Sequence, residues 1–416
     1  MSARPDQQTT DVAIIGAGPA GCVAAKLLAD AGHAVTVLEG SRFPRFSIGE
    51  SLLPYCMNVL ERCGLLQTVV EAGFQYKNGA VFERGDACQH IDFRDKFEAG
   101  WATTYQVQRA RFDQALANTV AASGVDVRFE SRVTAARLQR DDCRLDYRDA
   151  AGRSATLASR FVIDASGFGR VLPRLLGLDA PVESIPRRAL FSHVRLAPAA
   201  DFDRNKILIT VHPQAHDIWY WLIPFNDGSA SLGVLFPVDH PLAGAGTDLD
   251  TFWSLVNATR IGTLLAGTEL LRELGAIQAY SSTSSQVHGD GYALLGNAAG
   301  FLDPIFSSGV TIAMKSAELA TSTLLRELAG QTVDWQRDYA EPLAAGVETF
   351  RAYVDAWYDG RLQTIIFNQP QDAADSQLRR MMVSILAGYA WNTANPLVTH
   401  TERYLNMLHE LSDQQV

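Results

Sequence analysis

The chain has 416 residues, 47% hydrophobic and 20% charged, which is enough for a sizeable core and two or three lobes. A net charge of -10 argues against a nucleic-acid polyanion as partner. The cysteines (Cys22, Cys56, Cys63, Cys88, Cys143) show neither a metal spacing nor a disulfide framework, the polar start lacks a signal segment, and no run reaches the roughly 18 apolar residues of a membrane span, so a cytoplasmic location is expected.

In chain order, Asp11 to Ile15 reads as a strand. Gly16-Ala17-Gly18-Pro19-Ala20-Gly21 follows, then a helix to about Ala31 and a second strand, Ala34 to Leu38, ending in Glu39. This is GxGxxG in its required setting of strand, tight turn, helix, strand and acid. The glycines let the backbone approach a pyrophosphate, and Glu39 is placed to accept from a ribose 2′-OH. The motif suits FAD and NAD equally. Ser41 to Pro54 is too long and apolar for a simple connection, and reads as a functional loop or one packed over the first helix.

Asn78-Gly79, between alternating segments, predicts a hairpin with Lys77 as a solvated charge beside its turn. A helix is expected from Tyr105 to about Ser123, with Arg109 and Asp113 as an i, i+4 surface pair. Strands are expected near 126–139, 143–148 and 154–157. Phe161 to Gly167 then returns to the parallel sheet. Lys206–His212, Asp217–Pro224 and Ser229–Phe236 predict an antiparallel meander, with Trp219 and Trp221 on one face of its middle strand. In an arbitrary strand such a pair is core. Tyr292 to Gly296 reads as a buried strand, and Gly300 to Val310 as a turn leading into a helix to Leu328 that Ser307 or Ser308 can cap. Free N–H groups and the dipole at that helix start attract negative charge. Val333 to Val416 reads as helical, with aromatic residues at Tyr353, Trp357, Tyr358 and Phe367 and a mobile loop at Pro370 to Ser376.

Several of these segments resemble the flavin-dependent halogenases, within the class related to p-hydroxybenzoate hydroxylase and geranylgeranyl reductase. The matching stretches are RFPRxxIGESLLP (Arg42 to Pro54), KxGAxF (Lys77 to Phe82), QVxRxxFD (Gln106 to Asp113), Asp164-Ala165-Ser166-Gly167, WxWxIP (Trp219 to Pro224) and FxDPxFSSGV (Phe301 to Val310). The resemblance implies an α/β, two-lobe FAD-dependent monooxygenase-like fold with a helical C-terminal lobe. A discontinuous FAD-binding domain is expected at 1–70, 100–180 and 280–332, an antiparallel-sheet substrate domain at 71–99 and 181–279, and the helical lobe at 333–416. FAD, used as FADH2, is the implied cofactor. Its implied contacts are Gly16, Gly18, Pro19, Ala20, Gly21, Glu39, Arg45, Gly49, Glu50, Ser51, Gln106, Arg109, Asp164, Gly167, Asn297, Pro304, Gly309 and Val310. Asn297 stands where the family has Asp, and keeps the hydrogen bond without the charge.

The implied reaction makes hypohalous acid from a flavin hydroperoxide and chloride or bromide, held near Ser308 and Gly309. Lys77 would deliver the halogen to an electron-rich aromatic. Trp219, Trp221, Ile223 and Pro224 would form a barrier between flavin and substrate. Tryptophan halogenases carry a catalytic Glu where Phe306 stands, so the substrate expected is a phenol or pyrrole. It would enter an open site beneath a short C-terminal tail, on a carrier protein docked at a basic patch such as Arg187-Arg188 or Arg379-Arg380. A separate flavin reductase is the expected partner, since only one dinucleotide fingerprint is present. The alternatives are a monooxygenase or reductase on the same fold, or a halogenase-like flavin binder without turnover. No metal is implied.

Overall fold

In the computed structural model, residues 8–182, 185–197, 200–244, 246–278, 282–368 and 376–413 are described. The loop expected at Pro370 to Ser376 lies, except for Ser376, outside them. The first strand, Gln8–Ile15, pairs in parallel with Val35–Leu38 on one side and Ser154–Asp164 on the other. Asp126–Arg128 and Tyr292–Leu294 extend the same parallel sheet. Val12, Ala13 and Ile14 are fully buried, as expected for parallel strands covered on both faces. Ser154–Asp164 is one long strand where the sequence suggested two. Its first half pairs antiparallel with Cys143–Arg148, and its second half joins the parallel sheet.

The predicted meander forms within two residues of expectation, as Lys206–His212, Ala215–Pro224 and Ser229–Pro237. It is the centre of a seven-stranded sheet that also takes in Arg187–Arg195, Gly275–Gln278, Gly79–Arg84 and Ala87–Asp92. The helices Glu341–Tyr358, Arg361–Phe367, Gln377–Leu386 and Thr401–Asp413 make up most of the C-terminal region. They dock onto this sheet, with Trp357 packed against Phe82 at 5.7 Å between ring centres. Among the described residues no helix is long and apolar enough to cross a membrane.

Three local expectations fail. Asn78-Gly79 is not a hairpin turn. Gln75–Lys77 pairs instead with Thr104–Gln106, and the chain then crosses into the large sheet as Gly79–Arg84, whose hairpin partner is Ala87–Asp92. Glycine is required at 79 by a close approach, since a Cβ there would lie 2.0 Å from the Ile91 carbonyl oxygen. Lys77 is therefore carried inward, with no exposed surface. The helix expected from Tyr105 begins at Arg109, because Tyr105 and Gln106 belong to that short strand. The third failure is the cap. The helix Gly309–Leu328 starts after Ser308, whose side chain makes no capping hydrogen bond, while Ser307 adopts a left-handed φ of 57°.

Candidate active site

Gly16 has a φ of 99°, and a Cβ on it would sit 2.6 Å from the Ala165 carbonyl oxygen. Gly21 packs back on the same turn, where a Cβ would be 1.9 Å from the Gly16 carbonyl oxygen. Gly18 caps the helix Pro19–Asp30 with no side chain of its own, so the first-turn N–H groups are left for a ligand. Both oxygens of Glu39 brace this turn, accepting from the backbone N–H groups of Ala17 and Ser41 at 2.9 Å each. Gly16, Gly18, Pro19, Ala20, Glu39, Arg45, Arg109, Gly167, Asn297 and Val310 line a cavity of about 570 Å³, a volume in the range of cofactor sites. Asp164 is fully buried beneath it and accepts from the N–H groups of Ser166 and Leu172. Burial raises its pKa above the usual carboxylate range.

Arg109 and Asp113 form the expected i, i+4 pair, but it is buried rather than on the surface. Nε and Nη2 of Arg109 donate to the two oxygens of Asp113 at 2.7 and 2.9 Å, and Nη1 donates to the Ile48 carbonyl. Arg45 donates to the same carboxylate at 3.0 Å. The segment from Ser41 to Pro54 lies over this cluster, which is why a helix-surface spacing ends up inside.

A second cavity, of about 110 Å³, adjoins the first through Ile48, Arg109, Phe168, Asn297 and Val310. Gly49, Glu50, Ser51, Pro304, Gly309, Trp219, Trp221 and Ile223 line it. The two indoles stand 5.7 Å apart. Nε1 of Trp219 donates to the Tyr358 hydroxyl at 2.9 Å, and that hydroxyl donates to Asp303 at 2.8 Å. Nε1 of Trp221 donates to Ser231. Gly233 makes room for Trp221, since a Cβ there would meet its ring at 2.1 Å. Gly233→Ala is therefore expected to cost about 1–3 kcal/mol and to displace the Trp221 ring, with denaturant unfolding and tryptophan fluorescence as the measurements.

Lys77 lines a third space of only about 20 Å³, with Leu53, Ala80, Phe82, Phe93, Ile209, Phe306 and Leu386 among its walls. Ile207, Ile305 and Ser307 line both this space and the second cavity, so the two are neighbours. Lys77 Nζ donates to Ser51 Oγ at 2.8 Å and to the Leu52 carbonyl at 2.7 Å, and stands 5.2 Å from the centre of the Phe93 ring. Burial lowers its pKa to about 7. Among the described residues the expected open mouth does not reach Lys77, which has no exposed surface. Helix Gln377–Leu386 brings Leu386 over the amine, and Phe306 packs edge-on against Tyr353 and Trp357.

Several expected contacts fall outside the cavity walls. Gln106 is fully buried beside Lys77's strand, Gly21 supports the turn from behind, Pro224 ends the tryptophan strand, and Ser308 is buried behind Ser307. Ser307, Leu52, Tyr358 and His193, whose Nε2 lies 2.9 Å from Glu50, were not singled out as site residues from the sequence. Only Ser307 carried a local signal, as a neighbour of Ser308 in the same turn.

A family profile described as FAD binding domain matches residues 9–347. The chain belongs to this family. FAD fits the residues present, since the free helix start and the adjoining cavities form a cradle around a glycine turn whose close backbone packing a Cβ at Gly16 or Gly21 would break. The chain is 27% identical to a 1H-pyrrole-2-carbonyl-[peptidyl-carrier protein] chlorinase of Pseudomonas fluorescens, covering 84% of this chain and 83% of the relative. It is 29% identical to a tryptophan 2-halogenase of Chondromyces crocatus, covering 78% of this chain and 62% of that longer protein. Among solved structures, a flavoprotein/dehydrogenase from Cytophaga hutchinsonii is 39% identical, with a TM-score of 0.93 over 98% of this chain and 99% of the other.

Proposed function

We propose that the chain is an FADH2-dependent halogenase acting on an electron-rich aromatic, with Lys77 as the group that carries the halogen. The observation that supports this most directly is a buried lysine without a carboxylate partner among the described residues, in a space adjoining the flavin-side cavity. An ordinary structural lysine is solvated or paired. The glycine turn and the walls of the large cavity would hold FAD, which in its reduced form would supply the electrons that turn O2 and halide into hypohalous acid. The chain's own residues do the rest. Trp219 and Trp221 fill the wall between flavin and substrate and exclude an aromatic from the flavin side. Ile207, Ile305 and Ser307 mark the passage through which a small oxidant reaches Lys77. Ser307 and the N–H groups at the start of the helix Gly309–Leu328 suit a halide.

The substrate class is a phenol or pyrrole. Phe306 provides no carboxylate to orient an indole, and a phenol or pyrrole activates its own ring. A space of about 20 Å³ admits no such ring, so turnover requires Leu386, Phe306 or Phe93 to move. Carrier tethering agrees with the Pseudomonas relative, but not through Arg187-Arg188. Arg187 is stacked on the Tyr358 ring at 3.4 Å and Arg188 is paired with Asp248 at 2.5 Å. Arg379 donates to the His90 carbonyl, and Arg380 is exposed for docking. A separate flavin reductase supplies FADH2 in this scheme.

The test is incubation with FAD, a flavin reductase, NADH and bromide or chloride, with phenols, pyrroles and tryptophan offered free and as carrier thioesters, read by mass spectrometry. Halide-dependent products are expected, and hydroxylated products alone would overturn the reading. In the same assay Trp221→Leu should pass some hydroxylated product, because the barrier is thinned. A second reading, an oxidoreductase without halogenation, is favoured by the flavoprotein/dehydrogenase at 39% identity. Rapid FAD reduction by NAD(P)H with no added reductase would select it.

A further inference from the structure

We infer that Ser51 and the Leu52 carbonyl are positioning groups that hold both N–H bonds of a neutral Lys77 amine and so aim its lone pair into the adjoining space. This rests on the proposed role of Lys77 as halogen carrier. A neutral amine has two N–H bonds and one lone pair. The two short contacts, 2.8 Å to Ser51 Oγ and 2.7 Å to the Leu52 carbonyl, use up both bonds. The remaining direction is the lone pair's, since the other walls are apolar side chains except Ser307, to whose hydroxyl Lys77 makes no hydrogen bond. Ser51 also lines the second cavity, so the residue that holds the amine is itself part of the wall facing the oxidant.

The nearby carboxylates are held by other partners. Glu50, next in the chain, is turned to His193, Asp92 before Phe93 is held by Arg94, and Glu83 is held by Arg260. Arg379 and Arg380 are at the opposite end of helix Gln377–Leu386 from Leu386. Cys56 is the titratable group that acts on Lys77 by charge, and its own thiol is pushed up by burial. Among the described residues no carboxylate pairs with Lys77.

The step balances as RNH2 + HOX → RNHX + H2O. The lone pair forms the N–X bond, the X–O bond breaks, and hydroxide leaves with that electron pair and takes one amine proton. The haloamine keeps one N–H for the Leu52 carbonyl. The Ser51 hydroxyl can then turn from acceptor to donor toward the nitrogen, which a carbonyl cannot do. Transfer to the ring forms C–X, breaks N–X and returns the ring proton to nitrogen, restoring the amine.

The experiment uses the full chain as Ser51→Ala, Ser51→Thr and Lys77→Ala. The first readout needs no halogenation substrate: competitive reductive methylation with formaldehyde from pH 6 to 9, mapped to Lys77 by peptide mass spectrometry. A charged donor loses more than a neutral one when an acceptor is removed, so Ser51→Ala should lower the midpoint by about half to one pH unit, while Ser51→Thr keeps the parent value. The second readout is brominated phenol formed per FADH2 oxidised. Ser51→Ala should lose at least about tenfold, the barrier equivalent of a kilocalorie-scale misplacement, with trapped free hypobromous acid rising and Ser51→Thr near the parent. An unchanged labelling midpoint in Ser51→Ala overturns the inference, as does Ser51→Thr matching Ser51→Ala. Lys77→Ala separates the two claims. If it still brominates, the carrier role of Lys77 falls, whereas loss of product there with a fully active Ser51→Ala removes only the positioning role.

Discussion

Lys77→Met should make the protein more stable at neutral pH while abolishing halogen transfer. Burial brings the Lys77 pKa from 10.5 down to about 7. The folded value lies below the unfolded one, so between them the unfolded chain binds a proton that the folded chain refuses. The group therefore lowers stability, most fully below pH 7, and the deficit shrinks as pH rises toward 10.5. A shift of this size corresponds to roughly 4 kcal/mol at pH 7. Methionine fills a similar volume without charge, but leaves the Leu52 carbonyl and the Ser51 hydroxyl without their donor, at a cost of about 1–3 kcal/mol. The difference is a gain of about 2 kcal/mol at pH 7, seen as a higher urea midpoint with an unchanged slope. By about pH 9.5 the charge penalty falls to roughly 1 kcal/mol, so the advantage should vanish or reverse. Product should fall at least about a hundredfold, as when a covalent carrier is removed, while FADH2 oxidation continues. An equal stability difference at both pH values would show that Lys77 is not held as a desolvated amine. Stability given up at a single buried position is the usual mark of a functional site.

The features that could be read from the sequence were those in which neighbours along the chain decide the outcome. The glycine turn after Gln8–Ile15, the meander and the shared face of Trp219 and Trp221 all follow from short-range patterns, and each is present. The misreadings have a common cause, because each depends on what a distant segment covers. Lys77 looks solvated beside Asn78-Gly79 until Thr104–Gln106 pairs with its strand and Ser51 and Leu52 take up its donors. Gly79 looks like a turn glycine, but the Ile91 carbonyl is what excludes a side chain. The length of the tail gave no indication that helix Gln377–Leu386 would bring Leu386 over the amine. Ser307, not Ser308, reaches the junction of the two spaces, because one left-handed residue rotates the turn. No periodicity specifies such a residue.

Arg109 and Asp113 offered the same ambiguity, and the largest loss of stability is expected there. Asp113→Ala should destabilise the fold by about 3–5 kcal/mol, because it leaves a buried guanidinium without its counter-charge. Arg109 is 8% exposed and Asp113 is fully buried. The carboxylate accepts two bonds from Arg109 and one from Arg45, so a single deletion frees two cations that line the large cavity. The remaining bond, from Arg109 Nη1 to the Ile48 carbonyl, cannot neutralise the charge. The segment from Ser41 to Pro54 should loosen with it, since Arg45 and Ile48 both belong to that segment. FAD affinity should fall along with stability, as measured by quenching of flavin fluorescence on titration of the apoprotein. Asp113→Asn keeps an acceptor without the charge and should fall between parent and Asp113→Ala. The double variant Arg109→Ala/Asp113→Ala should cost less than the sum of the single changes, because removing both partners leaves no unpaired charge from that pair. Strict additivity in that cycle would mean that the two side chains do not act as a pair. A loss below about 1 kcal/mol in Asp113→Ala would place the pair in water, at the surface where its i, i+4 spacing alone had put it.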